Sequence, residues 1–338
     1  MNLEDRHIAT KRKADHLDLT FKSQTASGIN DARFMYEPLL GNINEIDLKT
    51  EFLNTEFDAP LWISSMTGGT GLATKINKNL ARVCSEFGLG MGLGSCRQLL
   101  DSNDYFEDFN IRKYIGDRPL FANIGIAQIE QLVLAGKTYK VVDLVKKLQA
   151  DGLIVHINPL QEFTQEEGDK LNQKPIDSLK ELLEKEDLKI IVKEVGQGMG
   201  YNSLKELMQL PLTAIDFGAF GGTNFSKLEM FRNSNVSNNQ YNSFINIGHT
   251  AEEMLGFVNK IKDELPDKIL CNQIIISGGI KSFLDGYYYT EKINVPSIYG
   301  MASEFLKQAT GEYELLREFV SKHIEGLRMA KAFLRIKN

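Results

Sequence analysis

The chain has 338 residues, a net charge of −6, 42% hydrophobic residues and 25% charged ones. That length allows one large barrel or two ordinary domains, and the acidic balance supplies no basic patch or stripe for nucleic acid. No apolar run approaches the roughly 20 residues of a membrane span.

The opening Met-Asn-Leu-Glu-Asp is acidic and lacks the apolar h-region of a secretory signal. Three widely spaced cysteines, Cys84, Cys96 and Cys271, suit neither a disulfide framework nor a Cys-x-x-Cys zinc site. A soluble, cytoplasmic protein with no nucleic-acid or membrane partner is expected.

Residues 1–60 carry no strong periodic pattern beyond a short segment at 43–52, and are expected to cover the barrel, some of them reaching its mouth. Short β-branched or apolar runs then recur at 61–66, 88–93, 119–124, 152–157, 189–195, 213–217, 272–277 and 295–299. They are nearly continuous rather than alternating, as parallel strands covered on both faces are. Helical patterns lie between them at 73–87, 141–150, 176–185, 203–209 and 251–265. Residues 312–335 read as a closing helix, with Leu315, Leu316, Phe319, Ile324, Leu327 and Ala330 spaced along it. Eight strands alternating with helices predict an α/β fold, a closed (β/α)8 TIM barrel in one domain, with a doubly wound open sheet as the rival. The Asn/Ser-rich stretch 221–248 reads as a loop far longer than its counterparts, and such loops are usually functional or disordered.

A (β/α)8 barrel builds its active site at the C-terminal ends of the strands. The unusual residues collect there. They are Ser65-Met66-Thr67-Gly68-Gly69 after the first run, Gly94-Ser95-Cys96-Arg97 after the second and Asn123-Ile124-Gly125 at the third. The fourth ends in His156-Ile157-Asn158-Pro159-Leu160-Gln161-Glu162, the fifth carries Lys193-Glu194, the sixth reaches Gly221-Gly222-Thr223 and the seventh gives Ser277-Gly278-Gly279. Any one glycine pair could simply make a tight turn; polar or glycine-rich ends on so many strands point to a site.

Ser277-Gly278-Gly279-Ile280-Lys281 and Tyr299-Gly300-Met301-Ala302 occupy the usual barrel position for a phosphate, held by backbone N–H groups and a short helix N-terminus. Lys193, on an otherwise apolar strand, is costly to bury unpaired. It either pairs with an acid or faces an anionic ligand.

Several of these stretches match one family. Arg12-Lys13-Ala14-Asp15-His16 fits an Arg-Lys-x-x-His pattern, and residues 65–69 fit Ala-Met-Thr-Gly-Gly. The stretch from His156 to Glu162, continued by Gln165 to Asp169, is the most specific. Val192-Lys193-Glu194-Val195-Gly196 and Gly221-Gly222-Thr223-Asn224-Phe225 also fit. Over about residues 10–310 the chain resembles the type II, FMN-dependent isopentenyl-diphosphate isomerases.

The resemblance implies a flavin-using barrel that interconverts isopentenyl and dimethylallyl diphosphate, with FMN, Mg²⁺ and NADPH as reductant of the FMN, in a homo-oligomer. FMN contacts would fall on Ser65, Met66, Thr67, Ser95, Asn123, Lys193 and Thr223, and the FMN phosphate on Gly278, Gly279, Ile280, Lys281, Met301 and Ala302. Arg12, Lys13, Ser95, Arg97, His156, Asn158 and Gln161 would surround the small-molecule diphosphate substrate. Glu162 would hold Mg²⁺, which commonly binds one or two carboxylates plus substrate phosphates. Gln161 and His156 would be catalytic, Gln161 orienting substrate or relaying a proton and His156 anchoring the diphosphate. Lys193 beside the N1/O2 edge of the flavin would stabilise its anionic reduced form. The flavin would serve as an acid/base near N5 in a redox-neutral reaction.

Four positions depart from the family: Cys96 stands for a usual Gln, Gly218 for a common Ser, and Ser303-Glu304 for a common Arg-Pro. Rival readings are an FMN-dependent 2-hydroxy-acid oxidase, an inosine-monophosphate-dehydrogenase-like enzyme and a non-catalytic flavin or phosphate-binding barrel. The first calls for His-Gly-Gly-Arg where this chain has Phe220-Gly221-Gly222-Thr223. The second calls for a cysteine within 218–248, which contains none. A metal carboxylate beside His156 and Gln161 argues against the third.

Overall fold

Parallel strands close on themselves without an edge. In chain order they are β1 (Leu61–Ile63), β2 (Gly90–Gly92), β3 (Leu120–Gly125), β4 (Gly152–Ile157), β5 (Ile190–Glu194), β6 (Ala214–Asp216), β7 (Ile274–Ser277) and β8 (Ser297–Met301). Pairing of β8 with β1 completes the ring, so the barrel holds and the open sheet does not. This computed structural model describes residues 3–68, 71–232 and 236–337; Gly69 of the 65–69 motif and residues 233–235 of the long segment lie outside them.

Helices Ala73–Phe87, Tyr139–Lys147, Pro175–Lys185, Tyr201–Met208 and Ala251–Glu264 lie where the periodicity predicts them. Their ends follow local chemistry. Gly88 (φ 64) adopts the left-handed conformation that terminates the first, and Thr250 and Glu253 form a capping box on the last. Helix Ile126–Leu134 escapes sequence reading because it is buried nearly all round, Gln128 and Glu130 included, and so shows no polar stripe.

Side chains alternate between the inside and the outside of a barrel strand. Trp62, Phe121, Ile154, Ile191, Ala214, Ile275 and Ile298 form one apolar layer. Their strand neighbours, such as Leu61, Ile63, Leu153, Val155, Ile190 and Val192, join the larger core shared with the helices. The inner layer is closed at the N-terminal end by the hairpin Thr50–Phe52 and Thr55–Phe57, whose Phe52, Leu53 and Phe57 are buried within it. The turn residues Leu53 (φ 54) and Asn54 (φ 57) are both left-handed, as a two-residue type I′ turn requires. The end of the 43–52 segment, Thr50–Phe52, is thus half of a barrel plug, while its start, Ile43–Glu45, is a 3-10 turn.

Three expectations change. The extension contains a helix, Leu3–Leu19, where no periodic element was expected. The closing helix stops at Phe333, and Leu334–Ile336 then pairs antiparallel with Phe34–Tyr36 of the extension. Residues 221–248 are largely helical rather than a plain loop, with Phe225–Arg232 α-helical and Val236–Asn246 a 3-10 helix. Tyr241 and Phe244 of that segment pack edge-on against Phe163, at ring centroid distances of 4.9 and 6.1 Å, a tertiary contact that polar composition conceals.

Candidate active site

Two residues beyond the apolar layer, the next inward positions are Ser64, Gly92, Asn123, His156, Lys193, Asp216, Ser277 and Gly300. Every one is polar or glycine. The alternation that makes the core therefore also makes the floor of a site, simply by a change of residue type along each strand.

Two pairs of neighbours on this ring are bonded, Asn123 with His156 and Asp216 with Ser277. Asn123 Nδ2 donates to the Leu93 carbonyl at 2.9 Å, which turns its Oδ1 toward His156 Nδ1 at 2.8 Å. An acceptor there requires Nδ1 to carry the proton, leaving Nε2 with a lone pair. Burial first, and then the Lys193 charge, push the His156 pKa down to about 4, so the ring is neutral at pH 7. Lys193 Nζ donates to the Glu194 carbonyl at 2.7 Å, and Lys193 lies in register between His156 on β4 and Asp216 on β6. Asp216, an acid, is its neighbour in the sheet, and Lys193 lines the cavity. Asp216 is fully buried and accepts from Ser277 Oγ, which itself accepts from the Gly218 amide at 3.0 Å.

Above the ring opens a cavity of about 790 Å³, a size usual for a cofactor site. Ser65, Met66, Thr67, Lys193, Thr223, Gly278, Gly279, Ile280, Lys281, Met301 and Ala302 all line it. Among the described residues, Ser64 Oγ and Ser65 Oγ are buried there without a hydrogen-bond partner, as is Asp216 Oδ2 in the ring below. Such atoms are rare in folded proteins and call for a partner. Gly278 (φ 87) has no room for a side chain, since a Cβ would sit 2.1 Å from the Ala219 carbonyl oxygen. Unpartnered hydroxyls together with bare glycine backbone in one cavity fit a flavin nucleotide. Lys281 and Ser282 donate their amides to Asp285, each at 2.9 Å, so those two N–H groups are already used, while Gly279, Ile280, Met301 and Ala302 also line the cavity.

Beside the cavity stands a second cluster. Helix Pro159–Thr164, opened by its proline, carries Gln161 and Glu162. Asn158 Nδ2 donates to Gln161 Oε1 at 3.2 Å and to Glu162 Oε1 at 2.9 Å. Glu162 Oε2 accepts the Asp169 amide at 2.8 Å, and Asp169 pairs with Arg97 at 2.9 Å. Glu162 is thus held from both sides with its remaining lone pairs free for a cation. No group of three or more His, Cys, Asp or Glu among the described residues could hold a metal by itself; a Mg²⁺ on Glu162 needs the oxygens of a diphosphate.

Sequence reading missed two acids. Glu229, only 4% exposed, accepts Gln161 Nε2 at 3.2 Å and pairs with Arg232 at 2.6 Å. It lies in the segment read as a loop, where nothing marks it. Asp216 had a signal: like Lys193, it is a charge on an otherwise apolar run.

Arg12 and Lys13 are exposed on helix Leu3–Leu19 and do not line the cavity. Ser95 is exposed next to the fully buried Cys96, whose thiol donates to the Gly94 carbonyl at 3.3 Å. Gly218 (φ 51) leaves no space for the family's serine, because a Cβ would lie 1.9 Å from the Glu194 carbonyl oxygen. Glu304, in place of the family's proline, faces the cavity. A separate depression of about 570 Å³ holds one cation, Lys147, which already donates to the Leu99 and Ser102 carbonyls at 3.4 and 3.3 Å.

A closed parallel barrel with its polar ring and cavity at the C-terminal ends of the strands defines a (β/α)8-barrel enzyme. The fold is shared with a solved mandelate oxidase variant bearing an FMN monooxide adduct, at 9% identity and a TM-score of 0.55 over 90% of this chain and 87% of that one. It is also shared with a flavocytochrome b2 variant holding benzoylformate, at 15% identity and a TM-score of 0.61 over 89% and 75%. No protein-family profile matches the chain. It is 35% identical over 334 residues to the isopentenyl-diphosphate delta-isomerase of Rickettsia africae (strain ESF-5), covering 97% of this chain and 94% of that protein. To the enzyme of the same name from Rickettsia prowazekii (strain Madrid E) it is 34% identical over 333 residues, covering 96% and 94%. The chain belongs to the isopentenyl-diphosphate delta-isomerase family.

Proposed function

We propose that this enzyme interconverts isopentenyl and dimethylallyl diphosphate, using FMN that NADPH reduces and a Mg²⁺ held by Glu162. The observation that carries this reading is that the serine-and-glycine cavity, which Lys193 lines, and the Asn158–Gln161–Glu162 cluster, which follows His156, stand at the C-terminal ends of paired strands, with His156 in register with Lys193. Reduced flavin, when bound, supplies an electron-rich face and an exchangeable proton for an alkene.

The chain's own residues do the rest. Ser64 and Ser65 would hold the flavin through their unpartnered hydroxyls, and Lys193, which lines the same cavity, would supply a positive charge to it. Glu162 would hold a Mg²⁺ that supplies charge for the diphosphate, and Gln161, on the same helix, would then face the five-carbon chain. Gln161 is an amide and cannot take a proton for long. The Glu229 carboxylate behind it can, and their hydrogen bond offers the path. His156 needs a proton at Nε2 to anchor a phosphate oxygen, and an approaching anion favours that protonation. The shift adds one proton and removes another, with no net oxidation.

The whole chain acts as one barrel domain in the cytoplasm. Among the described residues no helix is long and apolar enough to cross a membrane. The extension exposes Leu17, Phe21, Ile29, Leu39 and Leu40, each at 73% or more, which supports burial against a second copy in a homo-oligomer and delivery of Arg12 and Lys13 to a diphosphate there. Anaerobic turnover of isopentenyl diphosphate with FMN, reductant and Mg²⁺ tests the reading. A 2-hydroxy acid oxidised in its place would favour the oxidase alternative.

A further inference from the structure

Arg33 belongs to the extension, far in sequence from any barrel loop. Its Nη1 donates to Asp285 Oδ1 at 2.8 Å, while its Nε and Nη2 engage Asp31 at 2.9 and 2.7 Å. The guanidinium lies over Phe34 and Tyr288, at 5.2 and 5.3 Å from their centroids, so packing as well as charge fixes it. Both carboxylates hold it in its charged form, Asp31 the more strongly.

Asp285 is the residue that shapes the loop after β7. Its Oδ2 accepts the amides of Lys281 and Ser282, each at 2.9 Å, and thereby sets the course of Gly279, Ile280 and Lys281 along the cavity wall. Burial raises the Asp285 pKa, but Arg33 and those two amides together bring it below the usual carboxylate value. The loop that lines the phosphate end of the cavity is therefore built around an anion. Glu304 adds a second, and the cations among the described residues lining the cavity are Lys193, on β5, and Lys281, on this loop.

An anionic loop is a poor place for another anion. We propose that Arg33 is a positioning residue for the flavin phosphate: it neutralises Asp285 so that the carboxylate can order the β7 loop without repelling the phosphate that the loop receives. This rests on the FMN reading above and assigns the extension a task in cofactor binding. Arg33 does so through Asp285, without itself lining the cavity.

The test titrates the flavin-stripped full-length chain with FMN and, separately, with riboflavin, which has the same ring and no phosphate. Arg33→Gln should weaken FMN about tenfold, the scale of one lost charge pair at a partly buried site, and leave riboflavin unchanged. Arg33→Lys should retain most FMN affinity, and the double variant Arg33→Gln/Asp285→Asn should recover it, because the uncompensated carboxylate is gone. The FMN defect of Arg33→Gln should deepen at low salt. Equal weakening of FMN and riboflavin, or no recovery in the double variant, would overturn the proposal and make Arg33 a structural clasp for the extension. If the unaltered chain binds riboflavin and FMN equally, the phosphate site is misplaced and the inference falls with it; if it binds neither, the flavin reading itself fails.

Discussion

Glu229 accepts the Gln161 amide at 3.2 Å and is itself held by Arg232 at 2.6 Å. A residue from the helix after β6 thus fixes which way an amide from the helix after β4 faces. Gln161 Nε2 is turned to Glu229, and Gln161 Oε1 to Asn158.

Removing the charge behind Gln161 should stop proton movement without disturbing the flavin. Glu229→Gln is expected to lower kcat about a hundredfold or more, the usual range for a lost acid or base, at unchanged FMN affinity. Rapid-quench turnover beside an FMN titration checks this. A kcat within a few fold of the unaltered enzyme would leave Glu229 a structural partner of Arg232.

Glu162 is oriented by Asn158 and by the Asp169 amide, so Glu162→Gln should keep the local fold and lose the metal. The Mg²⁺ concentration giving half-maximal turnover should rise at least tenfold, because a neutral amide replaces the site's protein charge. An unchanged Mg²⁺ requirement would move the metal elsewhere.

His156 is neutral before substrate arrives and needs a proton to hold a phosphate oxygen. Diphosphate binding at pH 7 should therefore take up a proton, and affinity should improve as pH falls from 8 to 6. Calorimetry in two buffers of different ionisation enthalpy measures the uptake. His156→Gln should abolish its own share of it; identical uptake in the variant would contradict the neutral-imidazole assignment.

His323 is buried against Tyr299, whose hydroxyl lies 2.9 Å from Nε2, and burial pushes its pKa down to about 4. An unfolded histidine titrates near 6.5. Between these values the unfolded chain binds more protons, so the stability is present above pH 6.5 and lost as pH falls toward 4. The loss amounts to roughly 3 kcal/mol for this one group. Chemical denaturation at intervals from pH 7 to 4.5 should show that slope, and His323→Gln should flatten it.

Much of the barrel was legible because parallel strands buried on both faces are written as continuous apolar runs. The site was partly legible for the complementary reason: polar residues at strand ends have no packing role. Lys193 stood out on those grounds, and Asp216 carried the same mark. Glu229 could not be found this way. It sits in an Asn/Ser-rich segment whose helices are held by tertiary contacts such as Tyr241 on Phe163, and such contacts leave no periodic trace. The hairpin plug was hidden similarly, its Phe52 and Phe57 becoming core only once the strands close around them.

The central claim is that this barrel moves a double bond without net redox change. Its most direct test is an anaerobic reaction of the full-length chain with isopentenyl diphosphate, FMN, Mg²⁺ and a limiting amount of NADPH. The account predicts many turnovers to dimethylallyl diphosphate for each NADPH oxidised. One NADPH consumed per product, or no product from fully reduced enzyme, would contradict it.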